Sequence, residues 1–176
     1  MNEKLPSREQ AVSFLLKNGC SSSVIRHCNA VAELAVELAQ ILRRKGLDVN
    51  VRLVEAGALL HDVGRSRTHT VNHVIAGVEI AQSAGLSPSL VSIIKKHVGG
   101  GITAEEAEKL RWPKDNYMPF TLEEKIVCYA DKLVEGSSRV PIQVTIDHLS
   151  RSLNNGAAER VEKLHEEITG LIGDQP

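Results

Sequence analysis

Aromatic side chains are nearly missing from this 176-residue chain: they make up 3% of it, as Phe14, Trp112, Tyr117, Phe120 and Tyr129. Single strands of nucleic acid are held by stacking bases on several such rings, so no stacking platform is expected. An excess of one charge is lacking too. Lys and Arg number 21 against 22 Asp and Glu, a formal net charge of −1. No general field would draw in nucleic acid or an anionic membrane, and neither is expected as a partner. No apolar run approaches the ~20 residues that span a bilayer. The first residues, MNEKLPSREQ, have no apolar stretch of signal-peptide type. Three cysteines, Cys20, Cys28 and Cys128, form no C-x-x-C pair. Their odd number and spacing fit neither a disulfide framework nor a zinc–cysteine site, so buried, reduced thiols are expected. A soluble, cytoplasmic protein follows.

What is present is helical punctuation. Domains typically run ~100–200 residues, so residues 1–176 are expected to form one domain. Ser7 with Gln10 is a capping-box pattern, and Gly19 can end that helix. The cluster Ser21–Ser23 can cap a long second helix with apolar residues at three- and four-residue spacing, closed by Gly46. Asn50 can cap a third, VRLVEAGALLHD. A fourth is expected from about Val71 to Ala84, and a fifth opens at Ser87-Pro88 and stops at Gly99-Gly100-Gly101. Thr103 starts a short polar helix that Pro113 ends. Thr121 with Glu124 opens EKIVCYADKLVE, which Gly136 closes, and helices follow over about 142–153 and 157–171. Pro141-IQVTI is the one strand-like stretch, but no strand partner exists for it, so it too is read as helix. The stretch 111–120 reads as a loop packed on the body, and as a lid over a site.

The seven histidines are the unusual feature. His61-Asp62 ends an apolar helix, where uncompensated charge is costly. Imidazole and carboxylate are good ligands for divalent transition metals. Adjacent helical positions point ~100° apart, so one ion can take both only at a helix end. Asp131 lies within the apolar IVCYADKLV and needs a partner if buried. His27 lies in the second helix, His73 in the fourth and His97 at the end of the fifth. The three glycines after His97 would let the backbone pass close to a phosphate. His69 rivals His73, four residues away. His148 and His165 are expected at the surface.

In this order, His27, His61-Asp62, His73, His97 and Asp131 resemble the H…HD…H…H…D pattern of the HD-domain superfamily of metal-dependent phosphohydrolases. AGALLHDVGR is similar to that family's A-x-L-L-H-D-I-G-K segment and CYADKLVE to its A-D segment. NHVIAG and KKHVGG are similar to the H-x-x-x-G and H-x-x-G segments of its two-metal branch. The likeness covers about residues 24–140 and is nearest to small stand-alone nucleotide-acting members. Arg65 stands where many relatives have lysine, so it can grip phosphate but not give up a proton. The G-Y-P motif of cyclic-dinucleotide phosphodiesterases is absent.

The resemblance implies an all-α, single-domain helical bundle, with helices 141–172 following the motif-bearing core. It implies one or two divalent ions (Mn, Fe, Co, Ni or Zn). One would take His27, His61, Asp62 and Asp131; the other would take His73 and His97, with Asp62 shared. Asp62, Asp131 and Arg65 would be catalytic. Arg65, Arg67, Lys95, Lys96 and Arg139 would contact substrate phosphate. The expected substrate is small, phosphorylated and nucleotide-like, and a homo-oligomer is allowed. Two other readings stay open: a di-iron oxygenase using the same six ligands, and a non-catalytic nucleotide-binding module.

Overall fold

The capping residues read from the sequence open helices in the computed structural model, which describes residues 4–151 and 155–173. Ser7 and Gln10 form a reciprocal capping box at α1 (Arg8–Lys17). Ser21 caps α2 (Ser22–Arg44) and Asn50 caps α3 (Val51–Leu60). Helix α4 covers His73–Ser83. Ser87, with Pro88 behind it, opens α5 (Pro88–Lys96). Thr103 with Glu106 and Thr121 with Glu124 form boxes at α6 (Ala104–Lys109) and α7 (Leu122–Lys132). Each cap satisfies an amide with no partner inside its own helix, contributing ~1 kcal/mol. Helices α8 (Ile142–Arg151) and α9 (Asn155–Ile172) follow, so the stretch after Pro141 is helix as expected. The end of the expected 142–153 helix lies outside the described residues.

The protein is all-α, with one two-residue hairpin among the described residues. Helix α7 stops at Lys132, short of the sequence expectation. Val134–Glu135 (β1) then pairs antiparallel with Ser138–Arg139 (β2). Gly136, read as a helix stop, instead turns this hairpin at φ +60°. Helix α4 begins two residues late because Thr70 takes over the local bonding. Its hydroxyl accepts from the Asn72 amide and its carbonyl from the His73 amide. Helix α6 ends before Pro113, and Arg111 turns the chain there at φ +58°.

Helix α3 lies at the centre, packed on α2, α5 and α7. Leu53, Val54, Ala56 and the whole run Gly57–Leu60 are buried. The inner face of α2 (Val31, Ala35, Leu38, Leu42) joins the same core, each large side chain contributing roughly 1.5–3 kcal/mol on full burial. Cys20, Cys28 and Cys128 are buried free thiols, and burial pushes Cys128 up to about 11. No helix among the described residues is long and apolar enough to cross a membrane.

Two glycines let the chain close around the end of α3. After Asp62 the backbone makes a 3-10 turn, Val63–Ser66, against α4. A Cβ at Gly64 would lie 1.9 Å from the His73 carbonyl oxygen and 2.5 Å from the Gly77 nitrogen. A Cβ at Gly77 would meet the Ile94 Cγ2 at 2.9 Å, the tip of a side chain that can yield. Gly64→Ala is therefore expected to cost more than ~3 kcal/mol, because backbone must move, and Gly77→Ala about 1–2 kcal/mol. Urea unfolding of both variants checks this order; equal costs would contradict it.

Candidate metal centre

Five helices deliver six polar side chains to one point. Helix α3 ends at His61, whose backbone is still helical, while Asp62 leaves the helix at φ −100°, ψ 15°. The change in direction lets adjacent residues face the same place. His27 comes from α2, His73 is the first residue of α4, His97 follows α5 and Asp131 lies near the end of α7. His61 is fully buried, and Asp62, His73 and His97 nearly so.

The distances divide the cluster into two halves that share Asp62. Asp131 Oδ1 lies 2.9 Å from His27 Nε2 and 3.4 Å from His61 Nε2. Asp62 Oδ2 lies 3.9 and 3.8 Å from the same two nitrogens. Its other oxygen, Oδ1, lies 3.2 Å from His73 Nε2 and 3.5 Å from His97 Nε2. His27, His61 and Asp131 form one group whose donor atoms lie within 4.8 Å of one another, and His61, Asp62 and His97 form a second.

All four imidazoles are turned the same way. Each Nδ1 reaches a backbone carbonyl: Gly136 at 2.9 Å for His27, Ala58 at 2.7 Å for His61, Thr70 at 2.7 Å for His73 and Ile94 at 2.8 Å for His97. Carbonyls accept only, so this bonding places a proton on Nδ1, and Nε2 is a lone pair wherever the ring is neutral. The hairpin earns its place here, since its turn supplies the Gly136 carbonyl that orients His27. Metal-binding histidines are oriented by such partners.

The result is a cluster of acceptors with too few protons. His73 Nε2 and His97 Nε2 approach to 3.1 Å, a contact that is repulsive if both carry lone pairs. His61 Nε2 and Asp62 Oδ1 are buried without a hydrogen-bond partner. Burial opposes ionisation of Asp62, but His61, His73 and His97 hold its carboxyl well below the usual range. Asp131 is likewise held low, by Lys132 and then by His27 and His61. Burial, with His61 and His73 beside it, lowers His97 to about 4, so its ring is neutral near pH 7. Burial works against a charged His61, yet Asp62 and Asp131 raise its affinity for a proton. The field that draws a proton draws a metal ion equally, and the donor set suits a divalent transition metal.

Of the cations read from the sequence, Arg65 belongs to this centre. Its Nε donates to Asp62 Oδ2 at 2.5 Å, and it lines a cavity of about 620 Å3 beside the histidines. The other four are held elsewhere and are absent from the cavity's walls. Arg67 pairs with Glu79, Lys95 with Asp115 and Arg139 with Glu37. Lys96 meets both oxygens of the buried Glu124 at 2.9 and 3.0 Å, beneath the start of α7. Lys132, which the sequence reading passed over, does line the cavity and pairs with Asp131. The signal was its place next to Asp131 on a helix otherwise apolar at that turn.

Other expectations shift. His69 is exposed at the cavity's edge, while His73 is the histidine beside Asp62. His148 is exposed, but His165 is half-buried and its Nδ1 bonds the Tyr129 hydroxyl at 2.7 Å. Gly99 lines the cavity, whereas Gly100 packs on the Arg160–Val161 backbone and Gly101 on Met118 and Pro119. The stretch 111–120 is a buttress: Trp112 and Tyr117 are buried with Val74 and Ile102, and Trp112 Nε1 donates to Asn72 Oδ1. None of its residues walls the cavity, which α6 and α8 flank instead.

An all-helical protein whose buried His and Asp groups could hold a divalent metal is the class that fold and centre define. Residues 24–135, more than half of the chain, match the HD domain. The chain belongs to the HD-domain family. It is 46% identical over 166 residues to a Methanocaldococcus jannaschii protein named "Uncharacterized protein MJ0778", covering 93% of this chain and 98% of that one. It is 40% identical over 169 residues to a tRNA (cytidine(56)-2'-O)-methyltransferase of Thermoplasma volcanium, covering 96% of this chain but 48% of that protein. The fold is also that of the Listeria monocytogenes phosphodiesterase PgpH HD domain, solved in complex with cyclic-di-AMP. That likeness has a TM-score of 0.57 and 16% identity, over 94% of this chain and 98% of that one.

Metal analysis of protein prepared without chelator separates the two rival histidines. His73→Ala is expected to lose about one bound equivalent of a two-ion centre, and His69→Ala none. Mn2+ at ~100 times its Kd should stabilise the parent by ~2.7 kcal/mol, a gain that His61→Ala loses. A parent whose thermal midpoint ignores Mn2+ would contradict the assignment.

Proposed function

We propose that the protein is a metal-dependent phosphohydrolase that cleaves a phosphoester or phosphoanhydride of a nucleotide-like substrate with activated water. The observation that carries this reading is the convergence of four imidazole Nε2 atoms and two carboxylates beside a cavity. One or two divalent ions bound there (Mn, Fe, Co, Ni or Zn) would lower the pKa of water toward ~7 and offset charge on the phosphoryl oxygens.

The chain's own groups divide the work. His27, His61, Asp131 and Asp62 Oδ2 would hold one ion. His73, His97 and Asp62 Oδ1 would hold the other, making Asp62 the shared group. Asp62 and Asp131 stay ionised at neutral pH, so either can orient the attacking water by accepting its proton in a hydrogen bond. Arg65 and Lys132 reach the cavity at the carboxylate end, where their charges face a substrate phosphate. Arg65 acts there as a permanent charge and not as a proton donor. A ribonucleotide setting is further supported by the relative named for action on a tRNA cytidine, of which this chain matches 48%.

The test is an anaerobic assay with Mn2+ across nucleoside mono-, di- and cyclic phosphates and small aryl phosphates. Phosphoester cleavage is expected without O2. Asp62→Asn should lower kcat by at least about 100-fold, since loss of a ligand exceeds the 10–100-fold typical of its supporting partners. Turnover only with O2, or nucleotide binding with no turnover under any metal, would overturn the reading.

A further inference from the structure

We propose that the cavity beside the metal centre is a nucleobase slot that takes the ring by shape and apolar contact without reading its edge. The inference rests on the reaction assigned above and concerns the non-phosphate part of its substrate. At about 620 Å3, the cavity falls within the roughly 300–1,000 Å3 of small-molecule sites. Its floor is the centre itself, with His73, His97 and Asp131, and with Arg65 and Lys132 as cations. Val71, Val98, Ile102, Leu110 and Leu149 give the same cavity apolar walls. The cavity thus offers charged groups for phosphate together with apolar surface for the group attached to it.

The walls offer aliphatic faces to a planar ring, in keeping with a chain that has few aromatics. Most of their polar side chains are bonded to neighbours, Thr70 to Thr68 and the Asn72 amide, while His69 stands exposed at the rim. Thr145, one turn before Leu149 on α8, donates its hydroxyl to the Lys132 carbonyl at 2.7 Å. Both oxygens of Glu106 are taken by Arg160 at 3.0 and 2.9 Å, a pair that ties α6 to α9. Lys109 pairs with Glu105. Strong discrimination needs polar groups that are left unpaired by the wrong ligand, and apart from His69 at the rim these walls hold theirs already paired. One wall comes from α8, which lies beyond the residues 24–135 that match the HD domain.

Calorimetry on the Mn2+-loaded protein tests the slot through binding, apart from turnover. The ligands are AMP, GMP, CMP, UMP and inorganic phosphate. The four nucleotides are expected to bind within about threefold of one another and at least about tenfold tighter than phosphate. Leu149→Gln, and Leu110→Gln at a position already 36% exposed, should erase that tenfold advantage and leave phosphate binding unchanged, which also reports an intact fold. Nucleotides no tighter than phosphate, one base preferred by more than about tenfold, or an advantage that survives both substitutions would each overturn the slot. A protein that binds all four nucleotides but hydrolyses no phosphoester would retain the slot and refute the reaction. One that hydrolyses phenyl phosphate but binds AMP no tighter than phosphate would do the opposite.

Discussion

Six acceptors face one another at the buried end of α3, and the protein is organised around that electrostatic problem. Four imidazole nitrogens with lone pairs and two carboxylates in a dry interior repel one another. A fold that kept them together for packing alone would do better with apolar residues of the same size. The arrangement is stable only when positive charge enters it. Protons supply a little, through His61; Arg65 and Lys132 supply more, Arg65 on the Asp62 oxygen that also faces His27 and His61, and Lys132 on the Asp131 oxygen other than the one those histidines approach. A divalent ion held by the acceptors would satisfy the remainder.

Local backbone structure serves this convergence at each point. Three of the four Nδ1 partners are carbonyls three residues earlier in the chain. His61 and His97 sit at helix C-terminal ends, where such carbonyls lack an amide partner. His27 lies inside a long helix, where its own carbonyls are occupied, so the hairpin after α7 provides Gly136 instead. Gly64 lets the 3-10 turn after Asp62 press against the His73 carbonyl. The glycine of the H-D-x-G segment is thus a packing requirement, fixed by the approach of two backbones.

Legibility from sequence followed the range of the interactions. Helix starts at Ser7, Ser21, Asn50, Ser87, Thr103 and Thr121 depend on bonds within one turn, and their residues announce them. The five segments that build the centre carry His or Asp in recognisable contexts, so their membership could be read from resemblance while their geometry could not. Long-range pairing was illegible. Nothing local shows that Lys96 answers a buried Glu124, that Arg139 answers Glu37, or that Trp112 bonds Asn72. A basic residue near a motif looks available for substrate until its partner is known. Lys132 is the converse. It looked like one more helix lysine, yet its neighbour Asp131 carries it into the cavity.

Charge and composition now have a local meaning. A net charge of −1 gives no field to gather phosphates from afar, so attraction must arise within the centre. There the two carboxylates are offset by Arg65 and Lys132 before any metal binds, and each divalent ion then adds an excess of two positive charges. On the proposed function, an anionic substrate would be held only once metal is present, because the centre without metal is nearly neutral towards it. The scarcity of aromatics fits the other end of the same cavity. On the slot proposed above, aliphatic walls would add affinity for a ring without identifying it, on top of what the metal gives the phosphate.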